Sequence, residues 1–438
     1  MADGFTRYRD ALQWFVDAAS FGIHPGLEGI RGLLAELGDP QEGLPVIHVA
    51  GTNGKGSVTA YLRNVFVRAG YPVGCFNSPA LRDYREQILY KGRMISQKDF
   101  TRLAGVVEGA CAALTDRGIP HPSQFEMDLA MAFLFFREKG CDPVILECGM
   151  GGKEDATNIT TSDILTIITS VSLDHCQFLG KTLASIAENK AGIMRRGVPV
   201  VTMHQAPEVL EVLERKALET GAKLRIAKTP RVRKEGMSLQ RFDYPPFSSV
   251  EISMGGEWQP ENAALALESI QLLRERYRIT DLAVLRGMKE TKWEGRFEIL
   301  RKRPLLIADG AHNPDAARRL SATLQRVLKE KHMVFIVGML RDKDIEGVLE
   351  PMLPLADSVI AFKPPGNPRA MDGVELAEIA GHFHKRVTSA DSLEEALEEA
   401  ELLSGKDGAV VAFGSLSFIG KLKGILQVDQ RPYRRFAE

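Results

Sequence analysis

The first residue type that could do chemistry is Lys55. It stands in IHVAGTNGKGSVTAYL (Ile47 to Leu62), where a short apolar run feeds a glycine-rich turn and the turn opens a helical pattern. A strand, a glycine loop and a helix in that order aim backbone N–H groups and a helix N-terminus at an anion. The loop runs through Gly51, Thr52, Asn53, Gly54, Lys55, Gly56 and Ser57. Its glycines let the backbone approach oxygen atoms that a Cβ would block, and Lys55 would reach the β- and γ-phosphates of a nucleotide. The common pattern G-x-x-x-x-G-K-[ST] is not met, because Val49 replaces the first glycine and Gly56 separates Lys55 from Ser57. An ordinary glycine turn is the plain alternative. A lysine in this strand–helix setting favours phosphate.

Three further residues stand out by position. Glu147 ends the apolar run Val144 to Cys148, at the strand edge where α/β sheets place ligands. A carboxylate there is costly unless paired or metal-bound; a salt-bridge or cap role is the plain alternative. His175 follows the apolar run Ile164 to Thr169 by a short turn, so it can approach Glu147 from a neighbouring strand end. Lys190 shares one helical face with Leu183, Ile186, Ala187, Ile193 and Met194. An inward ammonium is costly, and a stem snorkelling to solvent is its plain explanation. Cys176, beside His175, is read as no nucleophile.

The elements that must hold these groups alternate between apolar runs and amphipathic helices. That rhythm predicts an α/β fold whose first, larger domain is a P-loop-type, mainly parallel sheet. Strands are expected at Val46 to Ala50, Val73 to Phe76, Val144 to Cys148, Ile164 to Thr169 and Val198 to Thr202. Helices are expected after the glycine loop, stopping at Gly70, around Phe125 to Phe136, and from Pro260 to Tyr277. Thr229 to Pro246 reads as irregular structure or an edge hairpin. A second rhythm near Glu298 predicts a smaller Rossmann-like α/β domain. Its strands are Leu305 to Ala308, Met333 to Val337, Ser358 to Phe362 and Ala409 to Phe413, and its helices include Pro314 to Leu328 and Leu393 to Leu403. The boundary is placed near Phe297, giving domains 1–297 and 298–438.

The 438 residues are 44% hydrophobic and 26% charged, as in ordinary globular proteins, and invite about two or three domains. A net charge of −1 gives no basic field for nucleic acid. The five cysteines contain no C-x-x-C pair, which suits a reducing compartment. Met1 to Asp17 lacks a signal-peptide core, and no apolar run approaches the roughly 20 residues of a membrane span. The expectation is a cytoplasmic protein.

FGIHPGLEGIRGLL (Phe21 to Leu34), IHVAGTNGKGS, ECGMGGKEDATN (Glu147 to Asn158), SLDHCQFLG (Ser172 to Gly180), KAGI (Lys190 to Ile193), WEGRFE (Trp293 to Glu298) and DGAHNP (Asp309 to Pro314) occur in order, with GSLSFIG near the end. This series resembles the successive signatures of the folylpolyglutamate/dihydrofolate synthases, a branch of the Mur ligase superfamily, over nearly the whole chain. The resemblance implies ATP-dependent addition of L-glutamate to folates, and to dihydropteroate, through an acyl phosphate. It implies two magnesium sites using Ser78 of the SPAL segment, Glu147, His175 and a carbamylated Lys190, with Lys55, Glu147, His175 and Lys190 as the catalytic set. It assigns Asn262, Arg296 and Asp309 to ATP and His312 and Ser415 to glutamate. Phe125, Lys153, Glu154 and Asp155 go to the folate-type acceptor, although Phe125 reads equally well as core. A smaller domain closing over the nucleotide, a monomer, and no nucleic-acid or membrane partner are implied as well.

The sequence departs from the common pattern in places. SPHL reads SPAL with Ala80, GGRLDATN reads GGKEDATN with Lys153 and Glu154, T-x-F-E-x-x-T has Ser123 and Asp128, and EKAGI has Asn189. These changes bear on acceptor choice more than on catalysis. Two rivals stand beside the folate reading: another Mur-type amide ligase acting on a cell-wall precursor, and a nucleotide-binding switch without ligase chemistry. Sequence of the folate type ahead of the phosphate loop weighs against the first. The Glu147, His175 and Lys190 set weighs against the second.

Overall fold

The structure is a computed structural model and describes residues 5–22 and 26–429. The first residues of the N-terminal segment, residues 23–25 of FGIHPGLEGI and the last nine residues of the second predicted domain lie outside it. The described residues form two compact units. One runs up to Arg231 and adds Tyr244–Val250 and Glu261–Thr291; the other holds Val232–Asp243, Glu251–Pro260 and the residues from Lys292 on.

The first unit is built on eight strands: β1 (Val46–Ala50), β2 (Gly74–Phe76), β3 (Ile88–Tyr90), β4 (Arg93–Met94), β5 (Val144–Glu147), β6 (Asp163–Ile168), β7 (Val200–Thr202) and β8 (Leu224–Ile226). Their order is β4-β3-β2-β5-β1-β6-β7-β8. From β2 to β8 every pairing is parallel, while β2–β3 and β3–β4 are antiparallel. Both faces of such a sheet must be covered, which explains unbroken apolar strands rather than alternation. Every residue of β1 and β5 is buried. One face packs Phe15, Leu33, Leu103 and Phe133 from the helices Tyr8–Asp17, Glu28–Glu36, Gln97–Asp116 and Gln124–Glu138. Elsewhere Ile186, Val209 and Leu213 form a second core with Ala50 and Ile168.

The helix Gln124–Glu138 shows how sequence sets a boundary. Ser123 caps it reciprocally with Glu126: the Ser123 N–H donates to Glu126 Oε2 at 2.8 Å, and Ser123 Oγ accepts from the Glu126 N–H at 3.4 Å. Serine in place of threonine therefore preserves the capping box. The helix Asp281–Glu290, absent from the sequence reading, packs on Lys55–Arg68, with Gly287 against Val65. The predicted Pro260 to Tyr277 helix is Gln259–Leu273.

Between Thr229 and Ile252 the chain forms a three-stranded sheet, β9 (Arg231–Lys234), β10 (Gln240–Tyr244) and β11 (Phe247–Ile252), in the order β11-β10-β9. The hairpin alternative holds here, extended by one strand. In the second unit β12 (Glu298–Lys302), β13 (Leu305–Ala308), β14 (Met333–Val337), β15 (Ser358–Phe362), β16 (Val387–Ala390) and β17 (Ala409–Phe413) order as β12-β13-β17-β14-β15-β16. Only β12 is antiparallel to its neighbour. Two apolar layers cover this sheet, one around Phe335, Leu320 and Leu349, the other around Val334, Leu397 and Leu422. Among the described residues no helix is long and apolar enough to cross a membrane.

Candidate active site

The glycine loop leaves β1 at the C-terminal edge of the first sheet, between β5 and β6. Gly51 has φ 147°, and a Cβ there would stand 1.8 Å from Thr169 Oγ1. Only glycine lets the loop pass so close to the end of β6. The two segments are then knitted together. The Thr52 N–H donates to Ser170 O at 2.7 Å, Thr169 Oγ1 donates to Asn53 O at 2.7 Å, and the Ser172 N–H donates to Thr52 Oγ1 at 3.1 Å. Gly54, with φ 90°, opens the helix Lys55–Arg68; a Cβ on it would meet Asn262 Oδ1 at 2.5 Å. Asn262, in the first turn of Gln259–Leu273 and buried, thus lies directly against the loop.

Two lysines converge on this loop. Lys55 Nζ donates to Gly51 O at 3.1 Å and Thr52 O at 3.2 Å. Lys190, near the end of the helix Leu183–Ala191 and buried, donates from Nζ to the same Gly51 O at 2.8 Å. The side chain expected to snorkel on its plain explanation points inward instead. Burial, and then the charge of Lys55, push Lys190 down to about 7.

The neighbouring strand ends carry the other candidates. Glu147, at the end of β5, is buried, and Asn77 Nδ2 donates to its Oε2 at 2.8 Å. Ser78 follows at the end of β2, half-buried beside Ala80. His175 lies beyond β6 in a left-handed conformation, φ 51°, with its N–H donating to Asp174 Oδ1 at 2.8 Å. Glu147 therefore ends, and His175 follows, the two strands that flank β1. Among the described residues no group of three or more His, Cys, Asp or Glu side chains is gathered as a metal cluster; the expected ligand set contains only two residues of those types.

The acceptor candidates divide. Phe125 is half-buried, with its ring 5.6 Å from that of Phe76, and a Cβ at Gly149 would touch it at 2.9 Å. Lys153 and Glu154 are exposed. Asp155 is buried and organises its own turn, accepting from the Met150 N–H at 2.7 Å, the Thr157 N–H at 3.0 Å and Thr157 Oγ1 at 2.5 Å.

In the second unit β13 and β17 are parallel neighbours, and their C-terminal ends bring Asp309 and Ser415 to one edge. Asp309 accepts from the Phe297 N–H at 2.7 Å and the Ala311 N–H at 2.8 Å. Burial raises its carboxyl, against the opposing charge of Arg296. Arg296 lies on Gly310, where a Cβ would approach Nη1 at 2.4 Å. His312 Nδ1 is 2.7 Å from Gly310 O, which requires the proton on Nδ1. Ser415 Oγ accepts from the Ser417 N–H at 3.2 Å.

Sequence reasoning missed Thr169, Asn77 and His48. The first two stand immediately beyond strand ends, a position that was available as a signal. His48, buried in β1, lies 2.8 Å from Thr157 Oγ1 and 3.4 Å from Asp163. Burial opposes its charge, yet Cys148 and Asp163 bring it up to about 10.

A glycine loop that joins a buried strand to a helix, at the C-terminal edge of a mainly parallel sheet, is the architecture of a P-loop-type nucleotide-binding fold. The model of the Mur ligase middle domain matches residues 49–270, and that of the Mur ligase glutamate ligase domain matches residues 295–416. The dihydrofolate synthase/folylpolyglutamate synthase of Bacillus subtilis is 31% identical over 431 residues, 96% of this chain and 99% of that protein. The Mycobacterium tuberculosis folylpolyglutamate synthase complexed with ADP superposes with a TM-score of 0.89 at 30% identity, covering 95% of this chain and 98% of that one. Escherichia coli FolC in complex with DHPP and ADP gives 0.84 at 29% identity, covering 96% and 98%. The chain belongs to the Mur ligase family, in its folylpolyglutamate/dihydrofolate synthase branch.

Proposed function

We propose that the protein is an ATP-dependent ligase that adds L-glutamate to folates and to dihydropteroate. The observation that carries this reading is the convergence of Lys55 and Lys190 on the Gly51 carbonyl, at the head of the glycine loop. The γ-phosphoryl group of ATP passes to an oxygen of the acceptor carboxylate, giving an acyl phosphate and ADP. The glutamate amine attacks the acyl carbon and loses a proton, and phosphate leaves from the tetrahedral intermediate. Backbone N–H groups of the loop and the Lys55 ammonium meet phosphate oxygens, which take over from the carbonyls of Gly51 and Thr52. Phe125 stacks on the aromatic tail of the acceptor. Ser78, Lys153, Glu154 and Asp155 border that region.

The residues fit magnesium by donor chemistry: Glu147 and Ser78 offer oxygen, and His175 offers one nitrogen. A magnesium ion held by these residues would supply neutralisation of charge on the transferred phosphoryl group. Lys190 fits its proposed modification as well. With its titration near neutral pH, much of the amine is unprotonated. That form adds to carbon dioxide, forming the N–C bond and releasing one proton. The carbamate keeps one N–H, enough to retain the bond to Gly51 O, and its oxygens would be available to hold a second cation. Asn262 of the first unit and Arg296 and Asp309 of the second are assigned to the nucleotide, and His312 and Ser415 of the second to glutamate. As proposed domains, 1–297 binds ATP and the folate-type acceptor and 298–438 is the glutamate ligase part. The reading extends to a cytoplasmic monomer, in keeping with five free thiols.

The test is ATP-dependent phosphate release with glutamate and magnesium, comparing dihydropteroate, a reduced folate and no acceptor. Release with both acceptors supports the full reading. Release with the reduced folate alone confines the enzyme to tail extension. Silence with both, in protein that binds ATP, refutes the folate assignment.

A further inference from the structure

We propose that Asn77 is a positioning residue whose amide, oriented by the Cys75 thiol, holds the Glu147 carboxylate in the rotamer that binds a divalent cation. The inference rests on the reading of Glu147 as a metal ligand.

The geometry follows from strand periodicity. Cys75 pairs with Ile145 and Phe76 with Leu146 in the parallel β2–β5 ladder. One residue further on, Asn77 comes level with Glu147. Side chains two apart on a strand share a face, so Cys75, Asn77 and Glu147 lie together. The bonds run in one direction. Cys75 Sγ donates to Asn77 Oδ1 at 2.9 Å, and Asn77 Nδ2 donates to Glu147 Oε2 at 2.8 Å. All three residues are nearly sealed from solvent, with Cys75 at 0%, Asn77 at 3% and Glu147 at 5% exposed.

The relay decides which end of the amide faces the carboxylate. A thiol can donate only while protonated, and burial pushes Cys75 up to about 12, the charge of Arg63 opposing and that of Glu147 adding. Asn77 Oδ1 is therefore held toward sulfur and the N–H₂ group toward Glu147. Reversed, the amide oxygen would face a carboxylate oxygen and repel it. The donor that holds Oε2 is thus an uncharged amide. Residues that orient a metal ligand this way typically change metal affinity by about 10- to 100-fold when removed.

The experiment is a Mn²⁺ titration of the full chain, in bicarbonate buffer without nucleotide, read by the electron paramagnetic resonance of free Mn²⁺. Thermal unfolding checks folding, and Glu147→Gln defines the Glu147-dependent site. Asn77→Leu, close in volume and unable to donate, should raise the dissociation constant of that site about tenfold. Cys75→Ala should raise it about threefold and Cys75→Ser, which keeps a donor, should restore it to within twofold. Where Asn77→Leu does not fold, Asn77→Ser carries the same expectation, its side chain being too short to reach Oε2. Binding within twofold of wild type in a folded Asn77 variant overturns the positioning role and leaves the metal reading intact. Wild-type protein without a Glu147-dependent Mn²⁺ site overturns both.

Discussion

Asp128 provides a sharp pH test, because its charge is nearly sealed in. It lies in Gln124–Glu138 at 3% exposure, with Tyr84 OH donating to its two oxygens at 2.8 and 2.9 Å and Gln87 Nε2 3.5 Å away. Burial dominates, and against the lowering effect of Tyr84 and Gln87 it pushes the carboxyl up to about 8. In the unfolded chain the same group titrates near ~3.9. Below that value both states hold the proton and the neutral group's contribution is fully present. Above it the native state binds more proton than the unfolded state, so stability falls until the folded group has titrated. At 1.36 kcal/mol per unit, the loss between pH 5 and pH 8.5 comes to about 4 kcal/mol. Asp128→Asn removes the titration while keeping an acceptor for Tyr84. Thermal unfolding of the two proteins should show a midpoint difference that changes steadily across that range. Between pH 5 and pH 8.5 the difference should move by about 8 °C in favour of the variant, at about 2 °C per kcal/mol for a unit of this size. Parallel midpoint curves would refute the assignment of a buried, neutral carboxyl.

Gly51→Ala brings a Cβ within 3.1 Å of the Thr169 Cα as well as 1.8 Å of its Oγ1; calorimetric ADP affinity should fall at least about tenfold, with a stability cost of roughly 1–3 kcal/mol. Lys190→Met replaces a buried ammonium with an apolar chain of similar length. The unfolding midpoint should hold or rise while kcat falls roughly 100-fold or more, and loss of both together would count against a catalytic role. Phe125→Ala should raise KM for the acceptor about tenfold with little change in kcat, measured by phosphate release; an equal fall in kcat would return Phe125 to the core.

The parts of the fold legible in the sequence are those whose pattern is local and one-dimensional. Val46–Ala50, Leu305–Ala308, Met333–Val337, Ser358–Phe362 and Ala409–Phe413 are strands with the expected limits, because unbroken apolar runs bounded by polar or turn residues allow few other structures. Glu298–Lys302 and Val387–Ala390 escaped notice, being edge strands whose residues, Ala390 apart, are half-buried or exposed and carry no such run. The helix Asp281–Glu290 was hidden by its own glycine, although Thr280 caps it by accepting from the Ala283 N–H at 3.2 Å. Local spacing also marked the phosphate loop. What it could not mark is what closes around that loop: Asn77 on Glu147, Thr169 on Asn53 and Lys190 on Gly51 join residues 70, 116 and 139 apart. No periodicity encodes such pairs.

The departures from the family pattern read differently once those distant contacts are visible. By sequence, Lys153 and Asn189 belong to separate motifs, and Lys153 bears on acceptor choice. In the structure they meet at the end of the Lys190 helix. The Lys153 N–H donates to Asn189 O at 2.8 Å, a Cβ at Gly151 would strike Asn189 Oδ1 at 2.4 Å, and Gly192 lies against the Cβ of Lys153. Gly152 is tighter still, with room for no side chain between the carbonyls of Asn189 and Lys190, each 2.8 Å from where a Cβ would stand. The Gly149–Asp155 turn and the helix that carries Lys190 are thus one packed unit, in which backbone meets backbone. Lys153 therefore borders, and Asn189 belongs to, the helix that holds Lys190 against Gly51 O, and both border the region read as the acceptor's.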